Sequence, residues 1–313
     1  EKFRHRHQKR YLSKLFFAIF VSRTCDNNNN YYYNSKMVKD YVSSVNSIFN
    51  DLVNFFPPGL FLSLASSNIA NGKYFDVYVK EFIGTMLMIV FTFSAGKWIG
   101  EDSWEVAWVV HAIGVVLADY FGGGQQVNPA VTMSMWALGK FDYTEAFVRV
   151  AGQMGGGLIS FPLFHAISEA MKWTPFGGPQ FNMENNAEAA ISEFTATFLL
   201  MWAIYILNWE LHFGSFHYII KQTLTAVAIR ALIEFFPTAG PAMNPMLATC
   251  WAVFGVSGNF EFPSENEHYF VYWIAPWMAA ILASITYGIY NGDKIFGVSL
   301  PIGPIKQPKA KTD

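Results

Sequence analysis

The sequence has little charge of either sign, and this shortage separates it from soluble proteins. Asp, Glu, Lys and Arg make up 14% of the 313 residues, whereas a soluble domain usually carries about 25%. Residues 194–209 and 269–292 contain no charged side chain and no histidine. Such stretches approach the roughly 20 apolar residues that cross a bilayer. The composition favours a polytopic helical membrane protein over a soluble all-helical protein.

Cysteine and the common catalytic motifs are also scarce. Cys25 and Cys250 lie in different contexts, which supports neither a disulfide framework nor a metal site. The chain has no CxxC or HExxH, and its Gly-Gly-Gly at 122–124 precedes Asn-Pro instead of the Lys-Ser/Thr of a phosphate-binding loop. The net charge of −2 gives no reason to expect nucleic acid. No catalytic residue, metal or cofactor is predicted, and an enzyme is unsupported.

Residues 1–73 differ from the rest and are predicted to form an N-terminal extension. They contain a basic start and the low-complexity tract NNNNYYYN at 27–34. Residues 11–22 fit an interfacial helix, a cleaved targeting segment or a signal anchor. Residues 40–56 have the spacing of an amphipathic helix, on the membrane, on a partner protein or on the chain itself. The membrane-spanning region is predicted at 74–292, followed by a cytoplasmic tail at 293–313.

Periodic apolar segments predict six transmembrane helices, near 77–97, 105–121, 146–166, 187–208, 217–236 and 268–291. Two shorter apolar helices, beginning at Asn128 and Asn244, are too short to cross and are predicted to be half-spans. With both termini in the cytoplasm, most Lys and Arg fall on the inner side, as the positive-inside rule requires. We therefore expect an integral multi-pass protein with cytoplasmic termini.

The chain contains an internal repeat, with halves near 74–166 and 187–292. EFIGTMLM at 81–88 matches EFTATFLL at 193–200, and NPA at 128–130 matches NPM at 244–246. Gln153 aligns with Pro276. Three spans per half is an odd number, so the second half must enter the membrane inverted. Inverted repeats place their functional site at the midplane, where broken helices meet.

The Asn-Pro sequence suits the start of a helix that begins inside a membrane. Asn128 and Asn244 are good N-caps, and Pro129 and Pro245 suit the first helical position, where a missing N–H is harmless. Ala130 and Met246 complete the two boxes. Two such helices meeting end to end direct positive dipole ends and two amide donors at one point. This arrangement favours a neutral dipolar solute such as water and repels cations.

These features resemble those of the aquaporin, or major intrinsic protein, family, over roughly residues 74–292. The resemblance rests on both boxes, both Glu-Phe-x-x-Thr segments, Gln153 and Pro276. It implies six spans, two re-entrant half-helices, a pore in each subunit and a homotetramer. It also implies that Glu81, Glu193 and Gln153 are buried polar groups supporting the half-helix loops.

The chain departs from the family at the outer selectivity filter. The family has Arg directly after the second box, where this chain has Leu247. An ungapped count from the boxes assigns the other filter positions to Trp108, Leu232 and Pro241. Such an apolar ring has few donors, which predicts weaker or shifted selectivity for polar solutes and one barrier fewer against cations. Unorthodox intracellular family members also lack this Arg, and the missing Asp after it disfavours a simple glycerol channel.

Three further ionisable groups lie within predicted spans. Arg230 and Glu234 are spaced i, i+4 and can pair on one helix face. Arg230 is predicted to face away from the pore, although a gap in the alignment would turn it inward to replace the missing filter Arg. His111 either lines the pore or is a satisfied interior histidine.

Two classes of function stay open on the sequence. The first is a passive channel for water and small neutral solutes such as glycerol, ammonia or hydrogen peroxide. The alternative is a non-conducting structural or junctional protein that uses the fold as an interaction platform. A coupled transporter needs an ion site at the midplane, and the sequence shows no carboxylate cluster that would form one. The expected partners are the lipid bilayer, other copies in a homotetramer and a protein partner for the N-terminal extension.

Overall fold

The computed structural model describes residues 73–92, 104–170, 186–236, 242–255 and 261–306. The predicted N-terminal extension, except Lys73, and the predicted filter residue Pro241 lie outside the described residues. Within these ranges the chain is helical, and its only extended pairing is an isolated bridge between Ile295 and Val298. The helical prediction is confirmed for the described residues.

The first half contains three long helices and one short one. They are α1 (Lys73–Thr92), α2 (Trp104–Gly122), α3 (Pro129–Ala137) and α4 (Tyr143–Ala170). The short helix α3 begins at the first Asn-Pro box and ends after nine residues. It therefore has less than half the length needed to cross a bilayer, at about 1.5 Å per residue.

The second half repeats this order. Its helices are α5 (Asn186–Tyr205), α6 (His217–Phe235), α7 (Pro245–Gly255), α8 (Asn266–Tyr269) and α9 (Ala275–Asn291). A π-helical turn at Ile206–Glu210 extends α5, and another at Phe270–Ile274 joins α8 to α9. Among the described residues, two continuous helical stretches are long and apolar enough to cross a membrane: Asn186–Glu210 and Asn266–Asn291.

Glycines of α4 allow α1 and α4 to approach closely. A Cβ on Gly152 would lie 2.6 Å from Tyr78 O, and one on Gly156 would lie 2.5 Å from Phe82 O. Both distances are too short for any side chain, so the glycines bring the two backbones into contact. Small residues at such interfaces are typical of membrane helices, whose association depends on tight packing.

The short helix α3 packs mainly against α9 and α4 and also contacts α5. Its Ser134 hydroxyl lies 2.5 Å from the Tyr205 hydroxyl on α5, and Ser284 on α9 donates to the Ser134 carbonyl at 3.3 Å. All three side chains are buried. Because buried hydroxyls that are hydrogen-bonded avoid the cost of desolvation, this cluster fixes α3 against both long helices.

Residues 292–306, the C-terminal strap, fold back on the end of α9 and on α3. The Phe296 N–H donates to Ala137 O at 2.7 Å and thereby caps the last turn of α3. The Phe296 ring meets Trp136 edge-to-face at a centroid distance of 4.9 Å. The strap returns to α9 through Ile305 N–H, which donates to Ile289 O at 3.1 Å. The end of α3 distant from its Asn cap is thus tied to the chain's C-terminal segment.

Candidate functional site

The N-terminal ends of α3 and α7 meet through reciprocal hydrogen bonds from their two cap asparagines. Asn128 Nδ2 donates to Met243 O at 2.8 Å, and Asn244 Nδ2 donates to Val127 O at 2.9 Å. Each asparagine thus binds the backbone immediately before the opposite helix. The two boxes, which are far apart in the sequence, form one junction.

The same asparagines cap their own helices. Asn128 Oδ1 accepts from Ala130 N–H at 2.8 Å, and Asn244 Oδ1 accepts from Met246 N–H at 3.1 Å. These bonds satisfy N–H groups that a helix start leaves unpaired. A carboxamide has two N–H donors on its nitrogen, and the cross-junction bond uses one of them. Each asparagine therefore retains one N–H donor at the junction.

The residue before each cap adopts an unusual backbone conformation. Val127 has φ 51° and Met243 has φ 47°, both in the left-handed region that side-chain-bearing residues avoid, most strongly when β-branched. Their carbonyls accept the cross-junction bonds. Matched outliers at equivalent places indicate that the surrounding contacts impose this conformation on both loops.

Glu81 holds the loop before α3 with its fully buried carboxylate. The carboxylate accepts from Gln126 N–H at 3.1 Å and from Val127 N–H at 2.9 Å. It also accepts from Arg149 Nη1 at 2.6 Å and Gln153 Nε2 at 2.9 Å. A buried carboxylate with a cationic partner and several donors has its desolvation cost offset.

This network continues from Glu81 into α3. Gln153 Nε2 also donates to Thr132 Oγ1 at 3.0 Å, and Thr132 in turn donates to Gln126 Oε1 at 2.7 Å. Arg149 binds Glu145 as well, at 2.8 Å. Side chains from α1, α3 and α4 thereby hold the loop 125–127 rigidly.

Glu193 performs the equivalent task in the second half with fewer partners. Its carboxylate accepts from Ala242 N–H at 2.5 Å and Met243 N–H at 3.0 Å, and the side chain is fully buried. Among the described residues no Lys or Arg forms an ion pair with it. Pro276 and Ala248 occupy the places of Gln153 and Thr132, so the polar network of the first half is not repeated.

Met246 packs behind the second cap against a glycine of α4. The residue is fully buried, and a Cβ on Gly157 would lie 2.6 Å from its sulfur. The equivalent pair in the other half is Ala130 and Ala280, both fully buried in one apolar cluster. The larger third residue of the second box is thus accommodated by the smaller residue of the facing helix.

Three of the four predicted filter residues lie on three different helices, and the fourth, Pro241, lies outside the described residues. Trp108 lies on α2 and Leu232 on α6, where Leu232 packs against the cluster that contains Met243 and Ala196. Leu247 lies in the first turn of α7, and its N–H is 3.4 Å from Asn244 Oδ1. The apolar filter ring therefore stays a prediction.

Arg230 and Glu234 form an ion pair on α6, with Arg230 Nη2 2.7 Å from Glu234 Oε1. The Arg230 side chain is 26% exposed and that of Glu234 is 40% exposed. His111 is buried on α2, and its Nε2 has no hydrogen-bond partner among the described residues. The guanidinium charge is thus paired with a carboxylate on its own helix.

Three members of the site were missed by sequence reasoning: Gln126, Thr132 and Arg149. The sequence spacing could have indicated Arg149, because Glu145, Arg149 and Gln153 recur every four residues and share one face of α4. Thr132 likewise follows its cap Asn128 by one helical turn. Only the fold brings Glu81 of α1 to that face.

Comparison with known proteins agrees with this geometry. The profile described as Major intrinsic protein matches residues 69–287. Aquaporin-1 of Milnesium tardigradum is 22% identical over 220 residues, which cover 61% of this chain and 65% of that protein. The aquaglyceroporin of Plasmodium berghei is 26% identical over 235 residues, covering 69% and 88%.

The fold is similar to one that has been solved. The X-ray structure of the aquaglyceroporin from Plasmodium falciparum matches with a TM-score of 0.52 at 20% identity, covering 69% of this chain and 96% of that one. At this identity the match supports the aquaporin-like fold alone. Together with the family profile, which covers more than half of the chain, it identifies the protein as a member of the major intrinsic protein family of membrane channels, which are not enzymes.

Proposed function

We propose that this chain forms a passive transmembrane pore for water and small neutral solutes, with its constriction at the junction of α3 and α7. The observation that carries the proposal is the reciprocal pairing of Asn128 and Asn244 with the opposite loop carbonyls. This pairing holds one N–H of each asparagine for structure and leaves the other for a passing solute.

The electrostatics of the junction suit a neutral dipolar solute. Two helix N-termini that point at one place present positive partial charge from both sides. A water molecule can turn its oxygen towards the asparagine donors, whereas a cation or hydronium ion is repelled. Glu81 and Glu193 are each used by backbone N–H groups, so they do not offer a cation site at the junction.

In this proposal α1, α2, α4, α5, α6 and the α8–α9 helix cross the bilayer, while α3 and α7 enter it from opposite sides as half-spans. Each cap lies at the midplane, where unpaired backbone groups are tolerated only next to a cavity or protein. The second half is inverted relative to the first, and the homotetramer expected of this family completes the arrangement.

The outer filter is proposed to comprise Trp108, Leu232, Pro241 and Leu247, without an arginine. A solute with several hydroxyls loses hydrogen bonds to water when it enters this ring, and the apolar side chains offer few donors to replace them. We therefore expect water and less polar neutral molecules to pass more readily than glycerol. The names of two similar proteins include aquaglyceroporin, which makes glycerol the first solute to compare with water.

Stopped-flow light scattering of proteoliposomes tests the proposal. Vesicles containing the protein should shrink faster than empty vesicles in an impermeant osmolyte, with a low activation energy. Leu247→Arg should lower the permeability to glycerol and the proton leak more than it lowers the permeability to water. As a matched control, Leu211→Arg places the same charge at an exposed position in the connection between α5 and α6, outside the predicted filter.

A rate no higher than that of empty liposomes, from protein shown to be folded and inserted, would reject the water pore. The non-conducting platform would then be the favoured function. A bulky third residue in the second box would favour a closed pore, but Met246 packs against Gly157 on α4, and this contact argues against the platform.

A further inference from the structure

The C-terminal strap exposes a row of large apolar side chains outside any helix. Val298, Ile302 and Ile305 are 66%, 61% and 69% exposed. Exposed apolar surface in water is unfavourable by about 25 cal/mol per Å². Clustered exposure of this kind marks a surface that contacts protein or lipid.

The strap is held firmly, so this exposure is a property of its fixed conformation. Ile305 N–H and Lys306 N–H donate to Ile289 O and Tyr290 O, at 3.1 and 2.9 Å. The Lys306 ammonium lies 2.6 Å from Glu210, and this hydrogen bond raises the lysine pKa. Ile295, on the inner side of the strap, is buried.

The position of the strap indicates that its exposed apolar side chains contact lipid. The exposed side of the helix running from α8 into α9 carries a stripe spaced by four residues, consisting of Phe270, Ile274, Met278 and Leu282. In a membrane protein such a stripe faces acyl chains. Because Ile305 is hydrogen-bonded to the last turn of the same helix, the strap lies where that stripe reaches the membrane surface.

The charge of the segment indicates which lipid. Residues 292–313 contain Lys294, Lys309 and Lys311, besides Lys306, which is paired with Glu210, against the acidic residues Asp293 and Asp313. Lysines that follow directly on a membrane-spanning helix are attracted to anionic leaflets by about 1 kcal/mol each. Apolar side chains interleaved with lysines are typical of segments that lie in the interface.

We propose that the C-terminal strap is a membrane-interface anchor that inserts Val298, Ile302 and Ile305 among the headgroups of anionic phospholipids. The Phe296 N–H then links this anchor to the last turn of α3, the half-helix that carries Asn128 at its other end. The proposal rests on membrane insertion and not on conduction, so a failed permeability assay leaves it intact.

Site-directed spin labelling of the full chain in nanodiscs tests it. In a Cys25→Ser background the buried Cys250 is shielded from labelling, and Ile302→Cys accepts the nitroxide. Power saturation compares access by oxygen, which partitions into lipid, with access by a nickel chelate, which stays in water. Ser215→Cys, exposed in the connection between α5 and α6, is the matched control.

The expected result is an oxygen-to-nickel ratio severalfold higher at 302 than at 215 in nanodiscs containing phosphatidylserine. The ratio at 302 should fall in phosphatidylcholine alone, and in a Lys294→Gln, Lys309→Gln, Lys311→Gln variant. Equal ratios at 302 and 215 would overturn the proposal. A label at 302 shielded from both reagents would also overturn it, because that result means coverage by another protein copy. So would a ratio at 302 that is the same in phosphatidylserine and in phosphatidylcholine nanodiscs.

Discussion

The Met246 sulfur lies against Gly157, 2.6 Å from the point where a Cβ on that glycine would be. Cys250 Sγ lies 2.7 Å from the same point. The second box therefore depends on the absence of a side chain on α4. The bulky third residue of the second box is thus matched by a glycine on the helix it faces.

Gly157→Ala should destabilise the protein by about 1–3 kcal/mol, because an added methyl group overpacks the interior. Met246→Ala alone should cost about 2–5 kcal/mol through a cavity. The double variant should lose less stability than the two single losses added together, because Met246→Ala removes one of the two sulfur contacts that crowd an alanine at 157, while the Cys250 contact remains. Thermal unfolding in detergent measures the coupling, and strict additivity would contradict the contact. Gly123→Ala has open space around its Cβ but a φ of 81°, so it reports backbone strain separately.

Glu81→Gln should be more destabilising than Glu193→Gln. Glu81 binds Arg149 and Gln153 in addition to two backbone N–H groups, and hydrogen bonds to charged groups are worth about 1.5–3 kcal/mol each. Glu193 has no cationic partner among the described residues, so neutralising it also removes a buried charge. Comparing the two melting temperatures checks this order. A larger loss for Glu193→Gln would show that the second loop depends more on its charge.

Asn128→Ser and Asn244→Ser separate the capping role from the bridging role. Serine is also a good N-cap, but it is too short and lacks the amide donor that reaches the opposite carbonyl. Each variant should lose about 0.5–1.5 kcal/mol for one hydrogen bond, and water permeability per folded protein should fall. Asn128→Ala and Asn244→Ala lose both roles and therefore give the lower limit of stability and of water permeability for comparison. Permeability equal to wild type in both serine variants would remove the asparagines from the conduction path.

Arg230 is predicted to lie outside the conduction path because Glu234 already pairs with its guanidinium at 2.7 Å. Arg230→Met alone should lower the melting temperature more than Arg230→Met with Glu234→Met, since the single change leaves a carboxylate unpaired. The glycerol-to-water permeability ratio should be unchanged in the double variant. A changed ratio or a proton leak there would assign the missing filter charge to Arg230.

Much of the architecture follows from local sequence signals. Charge-poor stretches, helical periodicity and the doubled Asn-Pro each depend on nearby residues, so they predict long helices and short capped ones within a few residues of where they occur. The caps at Asn128 and Asn244 are of this kind, because Pro at the first helical position leaves few other conformations. The two glutamates predicted to support the loops accept hydrogen bonds from the loop backbone.

The tertiary structure decided which distant residues share a contact. Neither box indicates that its asparagine binds the other loop, because that bond requires two segments more than 100 positions apart to meet. The Glu81–Arg149–Gln153 network, the pairing of Met246 with Gly157 and the return of the strap to α3 arise in the same way. Helix and cap formation is governed by neighbours along the chain. These contacts are instead set by the packing of α1, α3 and α7 against α4 and of α3 against α9.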